Sequence, residues 1–179
     1  MTLRFEPLRG GDLPLMAAWL SRPHVEQWWR EPSDLASVED HYGPIIDGTD
    51  TTEGFVILLD GRAIGFVQRY RVDEDPDWRA SIRSALGRAD GFGIDYLIGE
   101  PDLIHQGLGR RIISEFVDNS WRRYPTVDRA VVAVQQDNMA SWKALEGSGF
   151  RRAWEGELDS KDPSDRGPTF IYVLIRPTG

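Results

Sequence analysis

The sequence contains no cysteine. A disulfide framework, a thiol nucleophile and every thiolate metal site are excluded, and a reducing compartment suits the chain. Histidine is scarce too: His24, His41 and His105 are the three among 179 residues, and none stands at metal-ligand spacing from another. No apolar run approaches the roughly 20 residues that a membrane-spanning helix requires. The stretch Met1-Thr2-Leu3-Arg4-Phe5-Glu6 enters strand-like alternation at once, without a signal-peptide core. These absences lead us to expect a cytoplasmic protein with no metal and no membrane partner. Basic residues are outnumbered, 21 Lys and Arg against 29 Asp and Glu, for a formal charge of −8. Such a surface repels phosphate backbones, which argues against nucleic acid, and draws in small cations.

What is present is an ordinary globular balance, 40% hydrophobic and 28% charged, in a length that suits one domain over residues 1–179. Thr2–Leu8 reads as a strand. Asp12 is placed to cap a helix carrying Leu13, Met16, Ala17 and Leu20, which Pro23 ends. His24–Trp29 forms a short helix or turn, and a further helix runs from about Ser37 to Ile46, stopped by Gly48. Thr52–Leu59 and Arg62–Val72 make a hairpin around Asp60-Gly61, a strong two-residue turn signal. Asp73–Asp90 is polar and reads as irregular, and Phe92–Gly99 is a strand. A long amphipathic helix starts near Gly107, with Leu108, Ile112, Ile113, Phe116, Val117 and Trp121 on one face. Ala130–Val134 is a short strand, Asn138–Glu146 a helix, and Arg151–Leu158 and Thr169–Ile175 the final strands. The expected class is α/β, a mixed central sheet of about seven strands flanked by helices.

The most informative stretch is Leu97-Ile98-Gly99, then Ile104-His105-Gln106-Gly107-Leu108-Gly109-Arg110-Arg111. A strand leads through a short loop to two glycines at the mouth of a helix. Glycine lets the backbone approach an anion, and the N–H groups of the first turn point at it with the positive end of the helix dipole. Arg110 and Arg111 add charge, and the arrangement suits a pyrophosphate. The Walker pattern lacks its Gly-Lys-Ser/Thr ending, and the dinucleotide fingerprint lacks its third glycine, for which Ile112 stands. A helix start with glycines for tight packing is the plainer alternative. Twenty-nine residues beyond Gly109, Asn138 opens a helix that leads to Gly149-Phe150.

This order of turn, Asn-led helix and Gly-Phe resembles the GCN5-related N-acetyltransferase superfamily. That likeness implies acetyl-CoA as co-substrate, held by Leu97, Ile98, Ile104, His105, Gln106, Gly107, Leu108, Gly109, Arg110, Asn138 and, on the helix bordering the cofactor, Trp142. Asn138 is equally a plain N-cap. Within the superfamily the chain resembles the aminoglycoside 6′-N-acetyltransferases over most of its length. The matching stretches are Trp19-Leu20-Ser21-Arg22 with His24 and Trp28-Trp29, then Gly65-Phe66-Val67-Gln68-Arg69-Tyr70, and Gly93-Ile94-Asp95-Tyr96-Leu97-Ile98. The resemblance implies Asp95 as general base, and Trp28, Trp29, Gln68 and Tyr70 with Asp95 around the acceptor. As plain structure, the tryptophans are core and Gln68 and Tyr70 an edge-strand surface. Asp77, in the acidic run Asp73-Glu74-Asp75-Pro76-Asp77, adds to the acceptor side if that run flanks it, and is otherwise a solvated loop.

The implied reaction is attack of a neutral amine on the thioester. Asp95 takes the ammonium proton, and a backbone N–H of the Asp95–Ile98 strand, that of Leu97, holds the oxyanion. Three positions depart from the family pattern. Ile104 replaces a Gln or Arg, Leu145 stands where many members place a tyrosine acid, and Ala133 replaces a second acid near the fifth strand. Tyr96, Tyr124 or water are the remaining candidates for the acid. The rival readings are an acyltransferase on a hydroxylysine-type amine in siderophore assembly, a protein Nα-acetyltransferase, and a non-catalytic acyl-CoA sensor. Either a monomer or a homodimer is compatible with the sequence.

Overall fold

The computed structural model describes residues 1–177. In chain order the elements are β1 (Leu3–Pro7), α1 (Leu13–Leu20), α2 (Pro23–Trp29), α3 (Leu35–Asp47), β2 (Glu53–Leu59), β3 (Arg62–Arg71), α4 (Pro76–Leu86), β4 (Phe92–Ile98), α5 (Leu108–Arg123), β5 (Arg129–Gln135), α6 (Met139–Gly147), β6 (Arg151–Glu157) and β7 (Pro168–Ile175). Short 3₁₀ turns lie at Gly10–Asp12, Pro101–Leu103 and Pro163–Asp165. The strands form one mixed seven-stranded sheet in the order β1-β2-β3-β4-β5-β7-β6, with β4 and β5 parallel. The chain divides into two compact units, Met1–Arg69 with Asp95–Ile104, and Tyr70–Ile94 with the chain from His105 onward. Both β3 and β4 run through each of them.

In the first unit the β2–β3 hairpin closes as its Asp-Gly signal requires. Asp60 and Gly61 sit at φ 49° and 86°, the two left-handed residues of a type I′ turn. Ile57 faces Gly65 while Leu58 faces Ala63, so Ile64 is an extra residue that bulges β3. Met16, Trp19, Leu20, Val38, Tyr42, Val56, Phe66 and Leu97 form the core between α1, α3 and the strands. Each such side chain contributes about 1.5–3 kcal/mol by leaving water. The expected capping role of Asp12 does not hold: its carboxylate accepts from the Arg9 backbone N–H at 2.9 Å and makes no cap bond to α1. Pro23 is the first residue of α2, where its missing N–H costs nothing, and α3 begins earlier than Ser37, capped by Asp34.

The second unit corrects the reading of Asp73–Asp90. Pro76–Leu86 is an eleven-residue helix. The Asp75 carboxylate caps it by accepting from the Trp78 N–H at 2.6 Å, Pro76 opens it, and Gly87 at φ 74° ends it. Its apolar side is narrow: Trp78, Ile82, Ala85 and Leu86 pack with Val72, Val131, Trp154, Leu158 and Ile171. The aspartates around it, read as signs of a loop, are its cap and first turn. On α5, Leu108, Ile112, Ile113, Phe116, Val117 and Trp121 are buried as their spacing requires.

The β6–β7 connection holds a partly enclosed carboxyl. Ser160 Oγ donates to Asp165 Oδ2 at 2.6 Å, yet burial outweighs that bond and pushes Asp165 from 3.8 up to about 6. The folded chain thus binds this proton more tightly than the unfolded one, and stability falls as pH rises from 3.8 to about 6, then levels. Asp165→Asn is expected to raise Tm by about 3–6 °C at pH 7.5, about 1–2 kcal/mol, with no gain near pH 4. Thermal melts at the two pH values check this; an equal gain at both would show that the charge is not the cause.

Candidate active site

The site is built first on the pairing of β3 with β4. Gly99 N–H donates to Ile64 O at 2.8 Å, and Val72 N–H to Gly91 O at 3.1 Å, at the two ends of the ladder. Both bonds keep one antiparallel offset, in which Gln68 stands opposite Asp95 and Tyr70 opposite Gly93. The side chains agree. Gln68 Nε2 donates to Asp95 Oδ2 at 2.9 Å, and the Tyr70 ring lies so close over Gly93 that a Cβ there would fall 2.4 Å from it. A carboxylate only accepts, so the Gln68 amide has one orientation, and its Oε1 is left enclosed without a donor. A buried acceptor without a partner costs about 1–3 kcal/mol, which a ligand N–H or O–H relieves. Phe66, two residues before Gln68 on the same strand face, meets Trp29 edge-on at 6.0 Å between ring centres. Trp28, Trp29, Gln68, Tyr70 and Asp95 are all half-buried. Leu97 is buried in the core, and its carbonyl oxygen lies where a Cβ on Gly65 would stand.

The end of β4 is bolted to the α1–α2 segment, a feature the sequence reading missed. His24 Nε2 meets Ile98 O at 3.0 Å, and Arg22 donates to Gly99 O. The Trp19 ring covers Gly99. Glu100 accepts from Trp19 Nε1 at 2.9 Å and from Arg22 at 3.1 Å on Oε1, and from Arg62 at 2.7 Å on Oε2. Arg62 also clasps Asp102. The Trp19 indole first, with Arg62 and Arg22, holds the Glu100 carboxyl below its ordinary range despite burial. Trp19, Arg22, His24, Ile98 and Gly99 were singled out from sequence, but Glu100 and Arg62, which join them, were not, because long-range partners of a glutamate carry no local signature.

Beyond Glu100 the chain makes its 3₁₀ turn and then two left-handed residues, His105 at φ 61° and Gly107 at φ 75°. Gly107 is the N-cap of α5 and provides no side-chain cap, so the first-turn N–H groups face outward from an uncapped helix end. His105, Gln106, Gly107 and Arg110 are exposed, and Ile104 and Gly109 half-buried. This donor set fits the pyrophosphate of a coenzyme A. The Arg110 stem runs along Gly147 of α6, and Ser148 Oγ donates to Arg110 O at 3.1 Å. Arg111 is instead drawn to Glu115 at 2.7 Å.

Asn138 caps α6, its side chain accepting from Ser141 N–H at 3.2 Å, which leaves its amide donor for a ligand. Trp142 donates through Nε1 to Gln136 O at 3.1 Å and meets Phe170 edge-on. Asp77 lies in the first turn of α4, ion-paired to Lys161 at 2.6 Å. Leu145 is wholly buried, so that position holds no acid. Tyr124 follows the sixteen residues of α5, about 24 Å from the helix start, and packs on Phe92 with Arg71 and Arg123 over its ring.

Comparison with known proteins identifies the family. Residues 9–158 match the family model described as the acetyltransferase (GNAT) domain. The chain belongs to the GNAT acetyltransferase family. A relative, the aminoglycoside N(6′)-acetyltransferase type 1 of Klebsiella pneumoniae, is 25% identical over 178 residues, covering 92% of this chain and 79% of the relative. The aminoglycoside acetyltransferase AAC(6′)-Ib, solved with coenzyme A and kanamycin, superposes with a TM-score of 0.78 at 22% identity, over 98% of this chain and 95% of that one. Spermidine N-acetyltransferase from Vibrio cholerae, solved with CoA and spermine, superposes at 0.74 with 15% identity, over 97% and 95%. As a GNAT protein this chain is an acyl-CoA-dependent N-acetyltransferase whose co-substrate is acetyl-CoA. Among its described residues no helix is long and apolar enough to cross a membrane.

Proposed function

We propose that this GNAT enzyme acetylates a primary amine of a small polycation, the 6′-amine of an aminoglycoside, with Asp95 as general base. The observation that carries this reading is the Gln68–Asp95 pair. It joins a positioned carboxylate to an enclosed acceptor with no partner, on the strand that runs directly into the coenzyme A turn. An alkylammonium has a pKa of about 10 and must lose a proton before it attacks. A half-buried carboxylate first binds that cation and then accepts its proton, while Gln68 Oε1 receives an N–H or O–H of the same ligand. Trp28, Trp29, Tyr70 and Asp77 complete the acceptor side, and the net charge of −8 favours a cationic substrate.

Acetyl-CoA supplies the activated acyl group: the new C–N bond replaces the thioester C–S bond, and coenzyme A leaves as a thiolate that takes a proton from Tyr96 or water. Gly107, Leu108, Gly109 and Arg110, with Ile104, His105 and Gln106, hold its pyrophosphate, and Leu97, Ile98, Asn138 and Trp142 border the arm. The Leu97 carbonyl, and with it the Leu97 N–H, faces β3, so the oxyanion falls to a neighbouring backbone N–H of the Asp95–Ile98 strand on the side away from β3, and much of the rate comes from fixing two reactants together. The similarity to aminoglycoside N(6′)-acetyltransferases supports the acceptor class.

Thiol release from acetyl-CoA tests the proposal, with kanamycin and tobramycin compared against spermidine and lysine derivatives. Saturable turnover on the aminoglycosides, at least tenfold higher in kcat/KM than on the others, is expected. Preference for the lysine derivatives would move the acceptor to the siderophore type. Coenzyme A binding without turnover on any amine would make the chain a sensor.

A further inference from the structure

Seven residues separate the end of β4 at Ile98 from Leu108, the first of α5, when Gly99 and Gly107 are set aside as the two joints. An unanchored loop of that length loses about 1–2 kcal/mol of backbone entropy for each residue that a ligand orders. Backbone N–H groups bind phosphate well only when they already stand in hydrogen-bonding geometry. Within the loop itself Leu103 N–H donates to Glu100 O at 3.1 Å. Anchoring from three other segments converges on Glu100. Its N–H donates to Ile64 O at 3.3 Å, and its carboxylate receives Trp19, Arg22 and Arg62 from α1, the α1–α2 joint and β3. The side chain is 15% exposed, so its charge is desolvated enough for these bonds to count. Arg62 extends the clamp by one step, binding Asp102 inside the 3₁₀ turn through both terminal guanidinium nitrogens.

We infer that Glu100 is a positioning residue for coenzyme A, holding the upstream end of the turn that cradles the pyrophosphate while touching neither substrate nor the reacting atoms. The inference rests on the reading of that turn as the coenzyme A site. It assigns Glu100 to co-substrate affinity and not to the chemical step, because the partners of Glu100 are α1, β3 and the loop, and Asp95 lies five residues away on the strand.

Isothermal titration of coenzyme A, with steady-state kinetics, distinguishes this role from general stability. Glu100→Ala is expected to weaken coenzyme A binding about tenfold and to raise KM for acetyl-CoA in parallel, with kcat within about twofold of wild type. Glu100→Gln keeps an oxygen for the Trp19 indole and loses the charge for the two arginines, so it recovers part of the loss, to about threefold. If Glu100→Ala does not fold, Glu100→Gln and Arg62→Gln, at an exposed guanidinium, carry the same test with smaller shifts. A folded Glu100→Ala that binds coenzyme A as wild type does, or a loss confined to kcat, overturns the assignment. Failure of the wild-type protein to bind coenzyme A would overturn the reading of the turn instead.

Discussion

Asp95→Asn is expected to lower kcat/KM for amine acetylation at neutral pH by about 100- to 1,000-fold, with coenzyme A binding unchanged. The substitution is narrow by design. Asparagine offers Gln68 Nε2 an oxygen in the same place, so the cross-strand bond at 2.9 Å survives and the loss reports the proton and the charge. Without the carboxylate, the acceptor's ammonium loses both a counter-charge and a base, and the two losses fall on one step. Their pH dependence separates them. As pH approaches the pKa of the amine, about 10, the substrate deprotonates itself and the deficit of Asp95→Asn shrinks. A pH–rate series of the two proteins measures this, and a deficit under threefold at pH 7 would remove Asp95 from the role of base.

Gly65→Ala is expected to be strongly destabilising. An added Cβ would fall 2.1 Å from the carbonyl oxygen of Leu97 and 3.1 Å from the Ile98 Cα, both of them backbone. A side chain in the way changes rotamer; a strand must move. Gly65 lies next to the bulged Ile64, whose carbonyl receives both Gly99 and Glu100, so the displacement reaches the start of the β4–α5 loop. A cost of about 3–4 kcal/mol, a fall in Tm of about 10 °C, is expected by thermal melt. The protein that remains folded at 20 °C should also lose kcat, since the displaced strand carries the oxyanion N–H. A melt within 2 °C of wild type would show that β3 and β4 part at little cost.

Much of the site was legible because its signals are local. Gly107 at the helix start is required by the backbone, as its φ of 75° shows, while Gly109 lies within α5. Asn138 reads as a cap from its neighbours alone and is one. The α4 helix was hidden for the opposite reason. Aspartates that cap and open a helix have the same composition as a solvated loop, and its apolar stripe of Trp78, Ile82, Ala85 and Leu86 is covered by residues from Leu158 and Ile171, far along the chain. Asp12 failed as a cap because a 3₁₀ turn upstream, invisible in the hydrophobic pattern, had a closer donor for its carboxylate.

The sequence by itself determined the strands and every helix but α4, the Asp-Gly hairpin, the uncapped turn at the head of α5 and the candidacy of Asp95. The first three follow from periodicity or backbone freedom in a few consecutive residues, and Asp95 from the family resemblance that its strand carries. Tertiary structure alone decided that Gln68 stands opposite Asp95 with its other oxygen unpartnered, that Tyr70 covers Gly93, and that Glu100 gathers Trp19, Arg22 and Arg62. Strand register and long-range ion pairs depend on which residues the packed core brings together, and a carboxylate has no way to announce in sequence which distant donors will reach it.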